Sequence, residues 1–219
     1  MPTLSAEERG EIERLALQAK GGDIAARAEL FAKFRQQLHR LVALRLDRRL
    51  QGRLDPSDVL QEAFINYSRR IGDYADEQPE YFFVWLRTLT VQTLIDLHRT
   101  HLGTQKRDAA HEVSLFRGAL PEASSDSLAQ HLLGQLTSPS NAAVRAELQV
   151  RLQEVLNSLD PVDREILTLR HFEELTNGEV AVVLRLSKTA ASNRYVRALD
   201  RLREALTGMP GFDDGLPAP

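Results

Sequence analysis

The chain has 219 residues, a formal net charge of −3 and no cysteine, which excludes a disulfide scaffold and thiolate metal sites. Hydrophobic residues make up 42% and aromatics 6%; a core is available, and a composition rich in Leu, Ala, Arg and Glu favours helix over strand. No apolar run approaches the roughly 18 residues of a membrane span, and MPTLSAEERG lacks a signal-peptide core, so a soluble cytoplasmic protein is expected.

In chain order, SAEERGEIERLALQAK (5–20) has the spacing of a short amphipathic helix, with Ile12, Leu15 and Ala19 on one side. Gly21-Gly22-Asp23 ends it and starts the next, a longer helical pattern over 24–49 with Leu30, Phe34, Leu38, Leu41 and Leu44 at three- and four-residue steps. Between 33 and 53 stand seven positive residues and one negative, Asp47. A solvated helix face and a polyanion-facing surface explain that run equally well. DPSDVLQEAFINYSRR (55–70) carries a strong helix start: Asp55 is a good N-cap, Pro56 suits the first helical position, and Asp58 lies in the first turn, where the helix dipole favours it. An acidic loop, GDYADEQP (72–79), leads to YFFVWLRTLTVQTLIDLHRTH (81–101), a helix with Phe82, Trp85, Leu86, Leu89, Thr93 and Leu97 near one face.

From 102 to 141 glycine, proline and serine punctuate the pattern, and a linker with at most transient helix is expected. So long an unstructured stretch argues for two domains. Helix resumes at 142–156, Asp160-Pro161 starts another, and a turn-rich tail over 207–219 reads as disordered. Thr176-Asn177-Gly178-Glu179 fits a capping box. Its brief helix ends at a turn at Arg185-Leu186, and Ser187 caps a second, longer helix: a helix-turn-helix pattern. On that second helix Ala191, Tyr195, Ala198 and Leu202 form an inward stripe, while Lys188, Asn193, Arg194, Arg197 and Arg201 project elsewhere. From 185 to 203 there are six positive residues and one negative, Asp200. A helix with arginines for phosphates and small side chains for base edges suits a DNA major groove.

At this point the residues resemble a family. The segment at 159–203 is similar to region 4 of bacterial RNA polymerase sigma factors of the sigma-70 type. DPSDVLQEAF, followed by FFVWLRTLTVQTLIDLHR, resembles the later parts of region 2. Two segments in this order, with no third globular domain between them, resemble the extracytoplasmic-function (ECF) group; the likeness covers about 24–107 and 145–206. The resemblance implies an all-α fold of two small helical domains, a region 2 bundle over 24–101 and a region 4 helix-turn-helix domain over 142–206. A flexible linker over 102–141 joins them, and an N-terminal extension occupies 1–23. It also implies a protein that binds core RNA polymerase at its clamp and flap, recognises a −10 and −35 promoter and helps to melt it. An anti-sigma factor is a further partner of that class.

Carried onto this sequence, Asp55, Asp58, Gln61, Glu62 and Ile65 would lie on the helix docking to the polymerase clamp, where a carboxylate-amide face pairs with arginines. Arg87, Thr90, Gln92, Thr93, Asp96 and Arg99 would border the −10 DNA, with Tyr74, Gln78 and Tyr81 as platforms for a flipped base. Phe82 and Trp85 fit a core role. Lys188, Thr189, Ala190, Ser192, Asn193, Arg194 and Arg197 would face the −35 element. One departure concerns the turn, where the family often has glycine and this chain has Arg185.

Other classes are less well served. Asp55, Asp58 and Glu62 share a helix face and resemble a Mg²⁺ site, and His98 and His101 stand at i and i+3, but neither set has a convincing further ligand. No enzymatic activity, cofactor or metal is expected. A stand-alone helix-turn-helix regulator with a dimerising or sensing domain is the main alternative, ahead of a purely protein-binding helical module.

Overall fold

The computed structural model describes residues 5–50, 52–74, 81–102, 125, 128–129 and 142–207. These are helical, with no β-strand among the described residues. The helices are α1 (Ala6–Lys20), α2 (Ile24–Arg45), α3 (Pro56–Arg70), α4 (Phe82–Leu102), α5 (Ala142–Ser158), α6 (Pro161–Leu167), α7 (Asn177–Leu184) and α8 (Lys188–Leu206). They belong to two compact units, Met1–Pro121 and Glu122–Pro219.

Capping chemistry sets where most of these helices begin. Ser5 and Glu8 form a reciprocal capping box at α1, and Asp23 accepts from the Ala26 N–H at α2. The Asp55 carboxylate accepts from the Ser57 N–H at 2.7 Å while Asp58 accepts from the Asp55 N–H at 2.9 Å. Asp160 caps α6, Thr176 and Glu179 box α7, and Ser187 caps α8.

In the first unit α1 packs on α2, α2 on α3 and α4, and α3 on α4. The segment expected as an N-terminal extension therefore lies against the bundle, with Ile12, Leu15, Ala16 and Ala19 buried. The core is aliphatic along α2, with Leu30, Leu38 and Leu41 wholly enclosed, and aromatic between α2, α3 and α4. Phe82 meets Tyr74 at 5.0 Å between ring centroids, Phe34 and Trp85 at 5.7 Å, and Tyr67 at 6.4 Å. Edge and tilted arrangements like these suit the ring quadrupoles. The basic run at 33–53 is largely consumed inside the unit. Lys33 pairs with Glu11 at 2.6 Å, Arg49 with Asp47 at 2.6 Å, and Arg45 is buried.

In the second unit α8 is the hub, contacting α5, α6 and α7. Ala191, Ala198 and Leu202 are buried on it. Immediately after α6 the chain winds into a π turn, Thr168–Phe172, which the sequence pattern does not reveal. Leu169 and Phe172 point into the core from it. Within the expected linker, Ser125, Leu128 and Ala129 are helical and buried, and Ser125 donates to Asn157 Oδ1 at 2.6 Å. The rest of that stretch from 103 on, and the tail from 208 on, lie outside the described residues.

Candidate nucleic-acid interface

The start of α3 determines one surface. With Asp55 fixed as N-cap, Asp58, Gln61, Glu62 and Ile65 follow at helical spacing, and all five are exposed. Val59, Leu60, Ala63 and Tyr67 take the opposite, buried side. Both aspartates are used by the helix itself, and the hydrogen bond from the Ser57 backbone holds the Asp55 carboxyl below its usual range. Gln61, Glu62 and the exposed Ile65 carry no capping duty.

The residues expected at the −10 DNA divide into two sets. Gln92, Asp96 and Arg99 lie on an exposed strip of α4, where Asp96 accepts from Gln92 Nε2 at 3.1 Å and stands 3.9 Å from Arg99. Tyr81, just before α4, is half-buried. Tyr74, Arg87, Thr90 and Thr93, by contrast, lie inside the bundle. Thr90 and Thr93 return their hydroxyl protons to the Leu86 and Leu89 carbonyls, and Thr93 Oγ1 also accepts from Asn66 at 3.0 Å. The hydroxyl satisfied by the preceding turn lets a threonine pass as a core residue. Tyr74 packs its ring on Phe82 and Trp85. Gln78 lies outside the described residues.

The histidine and carboxylate pairs weighed as metal sites have other uses. His98 Nε2 faces the Asp47 N–H at 3.4 Å and is pushed below its ordinary pKa, chiefly by burial, while His101 is exposed. Among the described residues no group of three or more His, Asp or Glu is arranged to hold a metal.

In the second unit α7 and α8 make the helix-turn-helix. Arg185 closes α7 with φ 54° and ψ 44°, the left-handed conformation expected where the family has glycine. Its N–H and that of Leu186 bond back to the last turn of α7. Asn177, on the first turn of α7, donates to the Lys188 carbonyl at 2.9 Å and fixes the entry of α8. Lys188, Thr189, Ser192, Asn193 and Arg197 are exposed and Ala190 is half-buried. Arg194 behaves differently: its Nη1 is 2.7 Å from Asp163 Oδ1 and 3.2 Å from Asp160 Oδ1. Tyr195 is half-buried rather than enclosed. Its hydroxyl is 3.1 Å from His171 Nε2, its ring stacks on the imidazole, and Arg170 stands 5.2 Å from its centroid. Burial, with help from the Arg170 charge, lowers the His171 pKa to about 4, so the imidazole is neutral at pH 7.

These supports of α8, namely Asp160, Asp163, Arg170 and His171, were not legible as such. The Asp160-Pro161 helix start was visible, but the pairing of its carboxylates with an arginine 31 and 34 residues away was not.

Residues 9–208 match the family described as ECF sigma factor. The chain belongs to the ECF sigma factor family. Among curated relatives of this ECF sigma factor, the RNA polymerase sigma-H factor of Pseudomonas aeruginosa is 25% identical over 197 residues, 89% of this chain and 93% of that one. The RNA polymerase sigma-E factor of Streptomyces avermitilis is 31% identical over 154 residues, 70% and 72% of the two chains. The ECF RNA polymerase sigma factor SigW of Bacillus subtilis is 24% identical over 196 residues, 89% and 96%. Among solved structures, CnrH in complex with the cytosolic domain of CnrY aligns with a TM-score of 0.53 and 22% identity, covering 90% of this chain and 97% of that chain, a likeness of fold. As an ECF sigma factor the protein is a transcription initiation factor with the all-α architecture of its family. Among the described residues no helix is long and apolar enough to cross a membrane.

Proposed function

We propose that this ECF sigma factor binds core RNA polymerase through α3 and directs it to promoters whose −35 element is read by α8 and whose −10 element is bordered by α4. The reading is carried by one observation: a chain of this family presents both an exposed carboxylate-amide stripe and an exposed, basic second helix of a helix-turn-helix. Glu62 and Gln61 offer acceptors for arginine forks on a partner helix, and Ile65 offers an apolar anchor. On α8, Lys188 and Arg197 neutralise phosphates, while Thr189, Ala190, Ser192 and Asn193 approach base edges. Gln92, Asp96 and Arg99 border the −10 strands, with Tyr81 and Gln78 as the candidate base platforms. The region 2 bundle over 24–101 and the region 4 domain over 142–206 are the corresponding functional units, and the work is cytoplasmic and non-enzymatic. CnrH is bound by the cytosolic domain of another protein, and an anti-sigma partner is proposed here in the same sense.

The test is run-off transcription with purified core polymerase from promoters selected out of random duplex DNA. Transcription should depend on this protein, which alone should bind duplex DNA weakly. Glu62→Arg should weaken core binding by more than tenfold while the melting temperature stays put, because Glu62 is exposed and does not cap the helix. Asp58→Arg is the poorer probe, since it also removes a capping bond. Tight dimeric binding to duplex DNA, with core polymerase ignored, would replace this reading with that of a stand-alone regulator.

A further inference from the structure

We propose, resting on the promoter-reading role of α8, that Arg194 is a positioning residue: with Asp163 and Asp160 it sets the rotation of α8 in its socket and does not contact DNA. From sequence alone Arg194 belongs with the arginines of the reading face. In the fold its guanidinium is turned back onto the start of α6, 2.7 Å from Asp163 and 3.2 Å from Asp160. The Asp163 side chain is only 7% exposed. A carboxylate so enclosed has lost most of its water, and moving Arg194 to a phosphate would leave it unpaired. That loss outweighs a solvent-screened contact at the DNA surface, so Arg194 stays on α6.

Two further observations make the contact a restraint on orientation. Asp160 Oδ1, which accepts from Arg194, also accepts from the Val162 N–H at 2.9 Å as the N-cap of α6, so this carboxylate is held by its own helix. The next residue, Tyr195, engages His171 and Arg170 at the other end of α6, in the π turn. Successive residues on a helix project about 100° apart. Tethers at 194 and 195, to opposite ends of one neighbouring helix, therefore oppose rotation of α8 in both senses. Lys188, Thr189, Ser192, Asn193 and Arg197 owe their common outward aim to that setting.

The experiment uses the full chain as wild type, Asp163→Asn, Asp160→Asn, Arg194→Gln and the Asp163→Asn/Arg194→Gln double variant, with folding followed by circular dichroism. Asparagine remains a good N-cap, so Asp160→Asn removes only the charge, and it carries the test if Asp163→Asn does not fold. In the protein alone, deuterium exchange of the amides at 188–199 should rise in Asp163→Asn and Arg194→Gln alike. Unchanged exchange in both would overturn the positioning role. With core polymerase and the selected promoter duplex, each single variant should weaken binding roughly tenfold, and the double variant no further. The slope of log K against log[salt] should stay at the wild-type value. The proposal is also overturned if Asp163→Asn binds as well as wild type or better while Arg194→Gln loses affinity and about one unit of salt slope, the signature of a phosphate contact. If wild type with core polymerase selects no duplex, the promoter reading fails, and the exchange measurement still decides the role of Arg194.

Discussion

In the N-terminal unit, α3 is held by rings: Tyr67 and Phe64 on α3 meet Phe31 of α2, and Tyr67 meets Phe82 and Trp85 of α4. In the C-terminal unit, α8 is held on a small apolar seam of Ala191, Ala198 and Leu202, supplemented by directional polar contacts at Arg194, Tyr195 and the Lys188 carbonyl. Apolar rings give depth of stabilisation but tolerate small rotations. Charge-assisted and ring-nitrogen contacts contribute less energy but specify an angle. A docking face of exposed carboxylates needs a firm platform beneath it, whereas a helix that reads base edges needs a fixed phase.

The largest effect that tests this contrast is Phe82→Ala. Phe82 is fully enclosed and touches four rings, so its truncation should cost about 3–5 kcal/mol. Trp85 is the single tryptophan and reports on this unit alone, so urea unfolding followed by its fluorescence measures the loss. A cost below about 1 kcal/mol would mean that rings are not what holds α3.

The second test concerns the polar side. His171 has a pKa near 4 in the folded chain against 6.5 ordinarily, so the unfolded chain takes up its proton first as the pH falls. Stability from this group is fully present above pH 6.5 and is lost progressively toward pH 4, by about 2 kcal/mol. Urea titrations at pH 7.5 and 4.5, followed by circular dichroism, should show that loss in wild type, and His171→Gln should flatten it. An unchanged pH dependence in the variant would remove His171 from the account. Carboxylates that cap helices, such as Asp55 and Asp160, are held low and act only in more acidic solution.

The smallest effect is a gain. Arg185 sits at φ 54°, where a β-carbon is crowded, and Arg185→Gly should stabilise the second unit by about 1 kcal/mol in the same assay. A loss instead would show that the arginine side chain does more for the turn than its backbone costs.

The helices were legible because their signals are local. Asp55-Pro56, Thr176 to Glu179 and Ser187 announce their helix starts through hydrogen bonds spanning three residues. The turn at Arg185 was equally visible, since the helix before it runs out of apolar positions there. The exposed stripe on α3 followed from one fixed N-cap and the helical period. What stayed hidden depends on contacts between distant residues. On α4, Thr90 and Thr93 look like polar surface until Asn66 and the preceding carbonyls are found to satisfy them. Arg194 looks identical to Arg197 in sequence, and only Asp163, 31 residues earlier, tells them apart. Local charge counting overstated both basic stretches for the same reason: Glu11 and Asp47 in one unit and Asp160 and Asp163 in the other already occupy several of the cations.

The π turn at Thr168–Phe172 has a consequence for how this unit tolerates change in length. A π turn holds one residue more than an α-helical pitch accommodates. Losing one residue there would turn everything downstream by about 100°, bringing Arg170 or His171 to bear where Leu169 and Phe172 now fill the core. Point substitutions at this turn change a contact, whereas a single-codon deletion would change the phase of the whole segment leading into α7. The aim of the reading helix is thus encoded partly as a residue count, in a stretch that carries no reading residue at all.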